Sequence, residues 1–161
     1  MIRIQYILEN TSFQKIMADI SELEKDRIYC KHDLVHALDV ARIAYILKLQ
    51  EDADSLKEWV YAAGLLHDIG RAEEYMNGEP HNIAGPKLAI PILQKAGFSE
   101  GEISVIVCAI NEHREVIDGS MGSSIQHLIA RADKLSRNCL SCEASETCNW
   151  DESRKTAPIE Y

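Results

Sequence analysis

The sequence predicts an all-α fold, a compact bundle of about six helices, on three observations. Apolar residues recur at steps of three and four along most of the chain, the period of one helical face. No segment sustains the alternation of a strand. Ser or Thr followed three residues later by Glu or Gln stands before several of these stretches, as in a helix-capping box. The chain has 161 residues, the size of one domain with a single core.

The helices follow in order. Thr11 and Gln14 make a capping box before the apolar face Phe13, Ile16, Met17, Ile20 and Leu23. A second helix runs from about Asp33 to Gln50, with Val35, Leu38, Ala41, Ala44 and Leu47 widened by Ile43 and Ile46, so it is apolar around most of its girth and central. Ser55 and Glu58 cap a third, through Trp59, Val60, Ala63, Leu65 and Leu66, with Gly70 placed to end it in a left-handed cap. The turn Asn77 to His81 leads to a fourth, starting near Asn82 with Pro86 in its first turn; Pro91 should kink it and Gly97 ends it. Ser99 and Glu102 open a fifth, through Ile103, Ile106, Val107 and Ile110, ending near His113. A Gly- and Ser-rich loop, Asp118 to Ser124, precedes the sixth, which carries Ile125, Leu128, Ile129, Ala132 and Leu135. The helical domain is assigned to residues 1–138, and a cysteine-bearing tail packed on it to 139–161.

The formal charge is −9, from 26 acidic and 17 basic side chains. That field opposes nucleic-acid binding, and it admits an anionic substrate only where metal cations or arginines reverse it locally. No apolar run reaches the length of a membrane span and no signal-peptide pattern opens the chain, so the expectation is a cytoplasmic protein without a membrane partner. Disulfides are rare in that compartment.

The informative residues are polar groups embedded at apolar helix ends. His67-Asp68 follows Ala62-Ala63-Gly64-Leu65-Leu66, and His36 lies near the start of the most apolar helix. Asp133 lies between Ala132 and Leu135, a costly place for a carboxylate that is neither paired nor metal-bound. Two imidazoles and two carboxylates suit a divalent Mn, Fe, Co, Ni or Zn ion. With six histidines, a chance His-Asp pair is unremarkable, and His32-Asp33 supplies another. Order and context therefore carry the reading.

His36 followed by Val40-Ala41, the run Leu65-Leu66-His67-Asp68-Ile69-Gly70, and Ala132-Asp133-Lys134 together resemble the HD-domain superfamily of metal-dependent phosphohydrolases, in the order H…HD…D over about Lys31 to Arg137. The resemblance implies an all-helical fold in which His36, His67, Asp68 and Asp133 bind one ion. It also implies hydrolysis of a phosphoester or phosphoanhydride by metal-activated water, with Asp68 and Arg71 as the catalytic residues. His81 and His113 fall where dinuclear branches place extra ligands, implying a second ion bridged by Asp68; the alternatives are surface histidines or contacts to substrate phosphate. Arg71, then Arg114 and Lys134, are the candidate phosphate contacts, against the plainer reading of solvated surface charges. His32 is read as exposed or as lying behind the ligands, and His127 as a surface residue.

Cys139-x-x-Cys142-x5-Cys148 is a partial zinc signature, with Cys30 as the natural fourth ligand. A structural zinc or an iron–sulfur cluster would use these four, and the alternative is free thiols. Cys108, on an apolar helix, reads as a small core residue. The expected substrate is a small phosphorylated molecule of nucleotide type, with a pocket that leaves room for completion by a second copy in a homodimer. The six-ligand pattern also resembles that of di-iron HD hydrolases of dinucleoside tetraphosphates. A rival class is a non-catalytic metal or redox sensor.

Overall fold

A computed structural model describes residues 1–51, 56–114, 124–152, 155, 159 and 161. Among them lie eight α-helices: α1 (Ile2–Asn10), α2 (Phe13–Leu23), α3 (Leu34–Glu51), α4 (Lys57–Leu66), α5 (Arg71–Asn77), α6 (His81–Lys95), α7 (Glu100–Glu112) and α8 (Ile125–Leu135). Two single-turn 3-10 helices follow, Cys139–Ser141 and Ser145–Thr147. The all-α class is as expected; the two extra helices are α1 and α5. α1 buries only Ile4 and Ile7, too few inward residues to set a period.

Capping follows the sequence in one place, departs from it in a second, and in a third rests on a residue outside those described. Ser99 and Glu102 form the expected reciprocal box at the start of α7. The Thr11–Gln14 box does not form, because the Thr11 hydroxyl turns back to donate to the Ile7 carbonyl while accepting from the Phe13 amide. Ser55 lies outside the described residues, and the Glu58 carboxylate accepts from Arg3 instead. The loop before α8 lies outside them too, except for Ser124.

α3 packs against α4 and α8, and α7 lies on α6, α4 and α8. Their shared core includes fully buried Leu47, Leu65, Leu66, Ile106 and Leu128, each contributing about 1.5–3 kcal/mol by leaving water. Val35, assigned to the inner stripe of α3, is 64% exposed. The buried face runs instead through His36, Ala37, Val40, Ala41 and Ala44. At the α3–α4 crossing a Cβ on Gly64 would lie 2.5 Å from Ala41 Cα. Any side chain there would spread the two helices that carry His36 and His67.

Gly70 is not a left-handed cap: its φ is −78° and α5 starts at the next residue. What demands glycine is contact, since a Cβ would meet the His81 carbonyl oxygen at 2.2 Å and the Gly85 nitrogen at 2.6 Å. The turn after α4 is thereby pressed against the first turn of α6. That helix begins at His81, one residue earlier than expected, and runs on through Pro86 and Pro91.

Candidate metal centre

Five elements each bring a side chain to one place. His36 comes from the first turn of α3, His67 and Asp68 from the turn after α4, His81 from the start of α6, His113 from just beyond α7, and Asp133 from α8. Asp68 is the hub. Its Oδ2 lies 3.1 Å from His67 Nε2 and 3.6 Å from His36 Nε2, while Asp133 Oδ1 lies 3.3 Å from His36 Nε2. Its Oδ1 faces the other way, 3.2 Å from His81 Nε2 and 3.9 Å from His113 Nε2. Two groups result, each with ligand atoms within 4.8 Å of one another: His36, His67, Asp68 and Asp133, and Asp68, His81 and His113.

The outer nitrogens of the four rings are all held. His67 Nδ1 lies 2.7 Å from the Gly64 carbonyl and His113 Nδ1 lies 2.6 Å from that of Ile110. His81 Nδ1 meets a Glu74 carboxylate oxygen at 2.7 Å. These partners only accept, so Nδ1 carries the proton. His36 Nδ1 meets Ser136 Oγ at 3.2 Å, and that hydroxyl already donates to the Asp133 carbonyl; the serine oxygen must accept. Every ring thus turns an Nε2 lone pair inward. Among the described residues, His36 Nε2, His67 Nε2, His81 Nε2 and Asp68 Oδ2 are buried without a hydrogen-bond partner. A divalent cation fits this donor set: four neutral imidazole nitrogens and two carboxylates, oriented by outer hydrogen bonds.

The charges agree with that fit except at His67, where burial lowers the imidazole pKa but Asp68 and then Asp133 outweigh it and raise it; a bound cation would displace that proton. Burial pushes the Asp68 carboxyl up, but His67, the His36 contact and Arg71 outweigh it and hold it well below the usual carboxylate range. Asp133 is likewise held down against burial, by His36 and then by Arg137. Burial, then His67, pushes His113 down to about 4, and burial lowers His81. These two rings are therefore neutral near pH 7, as ligation requires.

The HD domain family matches residues 34–138, which span all six of these ligand candidates. The chain belongs to the HD-domain family. It is 39% identical over 161 residues to an uncharacterized protein of Clostridium beijerinckii, covering 100% of both chains. It is also 36% identical over 110 residues to ribonuclease Y of Enterococcus faecalis, covering 67% of this chain and 18% of that one. With ribonuclease Y 1 of Pediococcus pentosaceus the identity is 30% over 130 residues, covering 72% of this chain and 24% of the other. The chain thus spans about a quarter or less of these ribonucleases. No solved structure matches it.

Around the HD centre, Arg71 Nε lies 3.0 Å from Asp68 Oδ1 and its Nη1 3.0 Å from Glu74. Arg114 is exposed, 3.8 Å from Glu74. Both arginines line a cavity of about 530 Å³ that also reaches His113 and Asp133. Lys134 is exposed on α8 and does not line that cavity. His32 is 4% exposed, with Nδ1 on buried Glu24 and Nε2 3.8 Å from Asp68 Oδ2. It faces the centre rather than solvent, outside both ligand groups. His127 is half-buried beside Ser124, not fully at the surface, and Cys108 is half-buried on α7.

Cys30, Cys139, Cys142 and Cys148 are half-buried free thiols. Cys30 and Cys148 line the same cavity, but among the described residues no three of the four sulfurs lie within 4.8 Å of one another. Several anchoring residues carried no signal in the sequence: Glu24, Glu74 and Ser136 meet their histidines only through tertiary contact. Arg137, 2.5 Å from Asp133 and four residues after it on the chain, could have been found from helical spacing. No helix among the described residues is long and apolar enough to cross a membrane.

Proposed function

We propose that this protein is a metal-dependent phosphohydrolase that cleaves a phosphoester or phosphoanhydride of a small, nucleotide-like molecule, using two divalent transition ions bridged by Asp68. The observation that carries the reading is the set of four buried, unpartnered atoms brought together from α3, from the turn after α4 and from α6. Left so, each costs about 1–3 kcal/mol. A cation gives them all a partner.

His36, His67, Asp68 and Asp133 would hold one ion; Asp68, His81 and His113 would hold the other. When bound, the ions supply Lewis-acid polarisation of the phosphoryl group and lower the proton affinity of an attacking water. The protein's own groups do the rest. Arg71 holds Asp68 through Nε and borders the cavity, where its guanidinium matches the geometry of a phosphate. Arg137 fixes Asp133 in the same way. Arg114, at the exposed margin, adds positive charge where an anion enters a chain of net charge −9.

The likeness to ribonuclease Y favours a second reading, in which the phosphodiester is that of RNA. The net charge of −9 weighs against a long polyanion. The test is metal content and phosphate release together. Wild type should carry one or two transition ions per chain and either release phosphate from a nucleoside mono-, di- or triphosphate or split a dinucleoside tetraphosphate into two nucleotides, and Asp68→Ala should lose both properties. Cleavage of oligoribonucleotides alone would move the assignment to RNA. Equal metal in both proteins would remove it altogether.

A further inference from the structure

The cavity beside the metal centre is closed by two segments outside the family match at 34–138. One is the stretch before α3, which contributes Arg27 and Tyr29; the other is the tail, which contributes Asn149 and Trp150. The two are tied together, because the Tyr29 hydroxyl donates to the Thr147 carbonyl at 3.2 Å. That bond engages the polar end of Tyr29, a residue that also lines the cavity. Neither Tyr29 nor Trp150 is among the described ring pairs that meet each other, nor does either receive a described cation. Two aromatic side chains with no ring partner therefore border a cavity of about 530 Å³, within the range of small-molecule sites.

The same cavity gathers Arg27, Arg71, Arg114 and Arg137, in a chain where acidic groups outnumber basic ones by nine. Arg71 and Arg137 are committed to Asp68 and Asp133, which ties that part of the lining to the metal centre, where bound cations would complete the positive charge a phosphate needs. The ligand implied carries both an anionic group and a flat ring. We propose that Tyr29 and Trp150 set the specificity of the site by holding a planar aromatic group, a nucleobase, of a substrate whose phosphate lies at the HD centre. This rests on the phosphohydrolase reading above. Stacking is tolerant of base identity because every base has a π-face, so the pair selects for the presence of a base rather than for one base.

The test uses the full chain loaded with Mn(II), and adenosine 5′-monophosphate against ribose 5-phosphate, which differ by the base alone. Trp59, the second tryptophan, is bonded to Glu102 away from the cavity; in Trp59→Phe the emission reports on Trp150. The nucleotide should quench it saturably and ribose 5-phosphate should not. Trp150→Ala should lower the ratio of kcat/KM for the nucleotide over that for ribose 5-phosphate about tenfold, and Trp150→Phe should restore most of it. Equal binding of the two probes, an unchanged ratio, or no quenching would overturn the proposal. Base-selective quenching without phosphate release from either probe would uphold aromatic recognition and remove monophosphates from the hydrolase reading. Release from both at equal efficiency would do the reverse.

Discussion

Around Arg3 and around Asp68 the chain gathers charged side chains from distant elements, and the two gatherings end differently. Arg3 on α1 donates to Glu58 on α4 at 2.7 Å and to Glu102 on α7 at 2.8 Å, with its guanidinium carbon 4.0 Å above the Phe98 ring. Glu102 also accepts from Trp59 Nε1 at 2.8 Å and from the Ser99 amide at 2.7 Å. The polar groups of that cluster have partners within the protein, so it is a clasp. At Asp68 the pairing within the protein is incomplete: Asp68 Oδ2 and the Nε2 atoms of His36, His67 and His81 are buried with no hydrogen-bond partner. Both sites are polar and built around carboxylates from distant elements. Completeness of pairing separates a structural cluster from one that awaits a ligand.

Breaking each cluster tests that distinction. Asp68→Ala should abolish ion binding at both groups and lower turnover about a thousandfold, with helix content by circular dichroism retained; retained metal would erase the difference between the clusters. Next in size, Glu102→Ala should cost about 2 kcal/mol and lower the melting temperature by about 4–8 °C with metal content unchanged. A loss of metal in that variant would show that the clasp belongs to the site. Glu74→Ala, which frees the outer nitrogen of His81, should weaken the ion held by Asp68, His81 and His113 about tenfold, seen as one shifted step in a metal titration.

The smallest effect is in pH. Hydrogen bonds from the Ser99 amide and Arg3 hold the Glu102 carboxyl down to about 2, against 4.5 ordinarily. A depressed acid stabilises the fold above its unfolded pKa and ceases to as pH falls through its folded one. The melting-temperature advantage of wild type over Glu102→Gln should therefore be full at pH 7 and shrink between about pH 4.5 and pH 2. An advantage that persists at pH 2 would mean that shape, not charge, holds the clasp.

The ligand residues were legible because each breaks a local rule. A His-Asp pair closing an apolar run and an aspartate between Ala132 and Leu135 are costly unless something compensates, and their order along the chain named the family. α3, α4, α7 and α8 were legible from their period. What stayed hidden depends on contacts between elements. Gly70 reads as a helix stop, yet its role is to admit the backbone of His81. His32 reads as exposed or as lying behind the ligands, and the second alternative holds; what the sequence hides is its partner Glu24, whose carboxyl is held down to about 2 against burial by His32 and Tyr75. Arg3 and Glu102 lie 99 residues apart in the chain and meet in the fold.

The ligand candidates reach from the first turn of α3 to α8, and no two neighbouring helices contain them all. An ion bound there behaves as a cross-link without a covalent bond, closing loops that the unfolded chain would leave open. Its binding free energy is then also folding free energy: a free metal concentration one hundred times its dissociation constant would add about 2.7 kcal/mol to the stability of the whole bundle. Metal supply would govern how long a molecule survives as well as whether it can act, and the chain starved of metal would be the one most open to proteolysis.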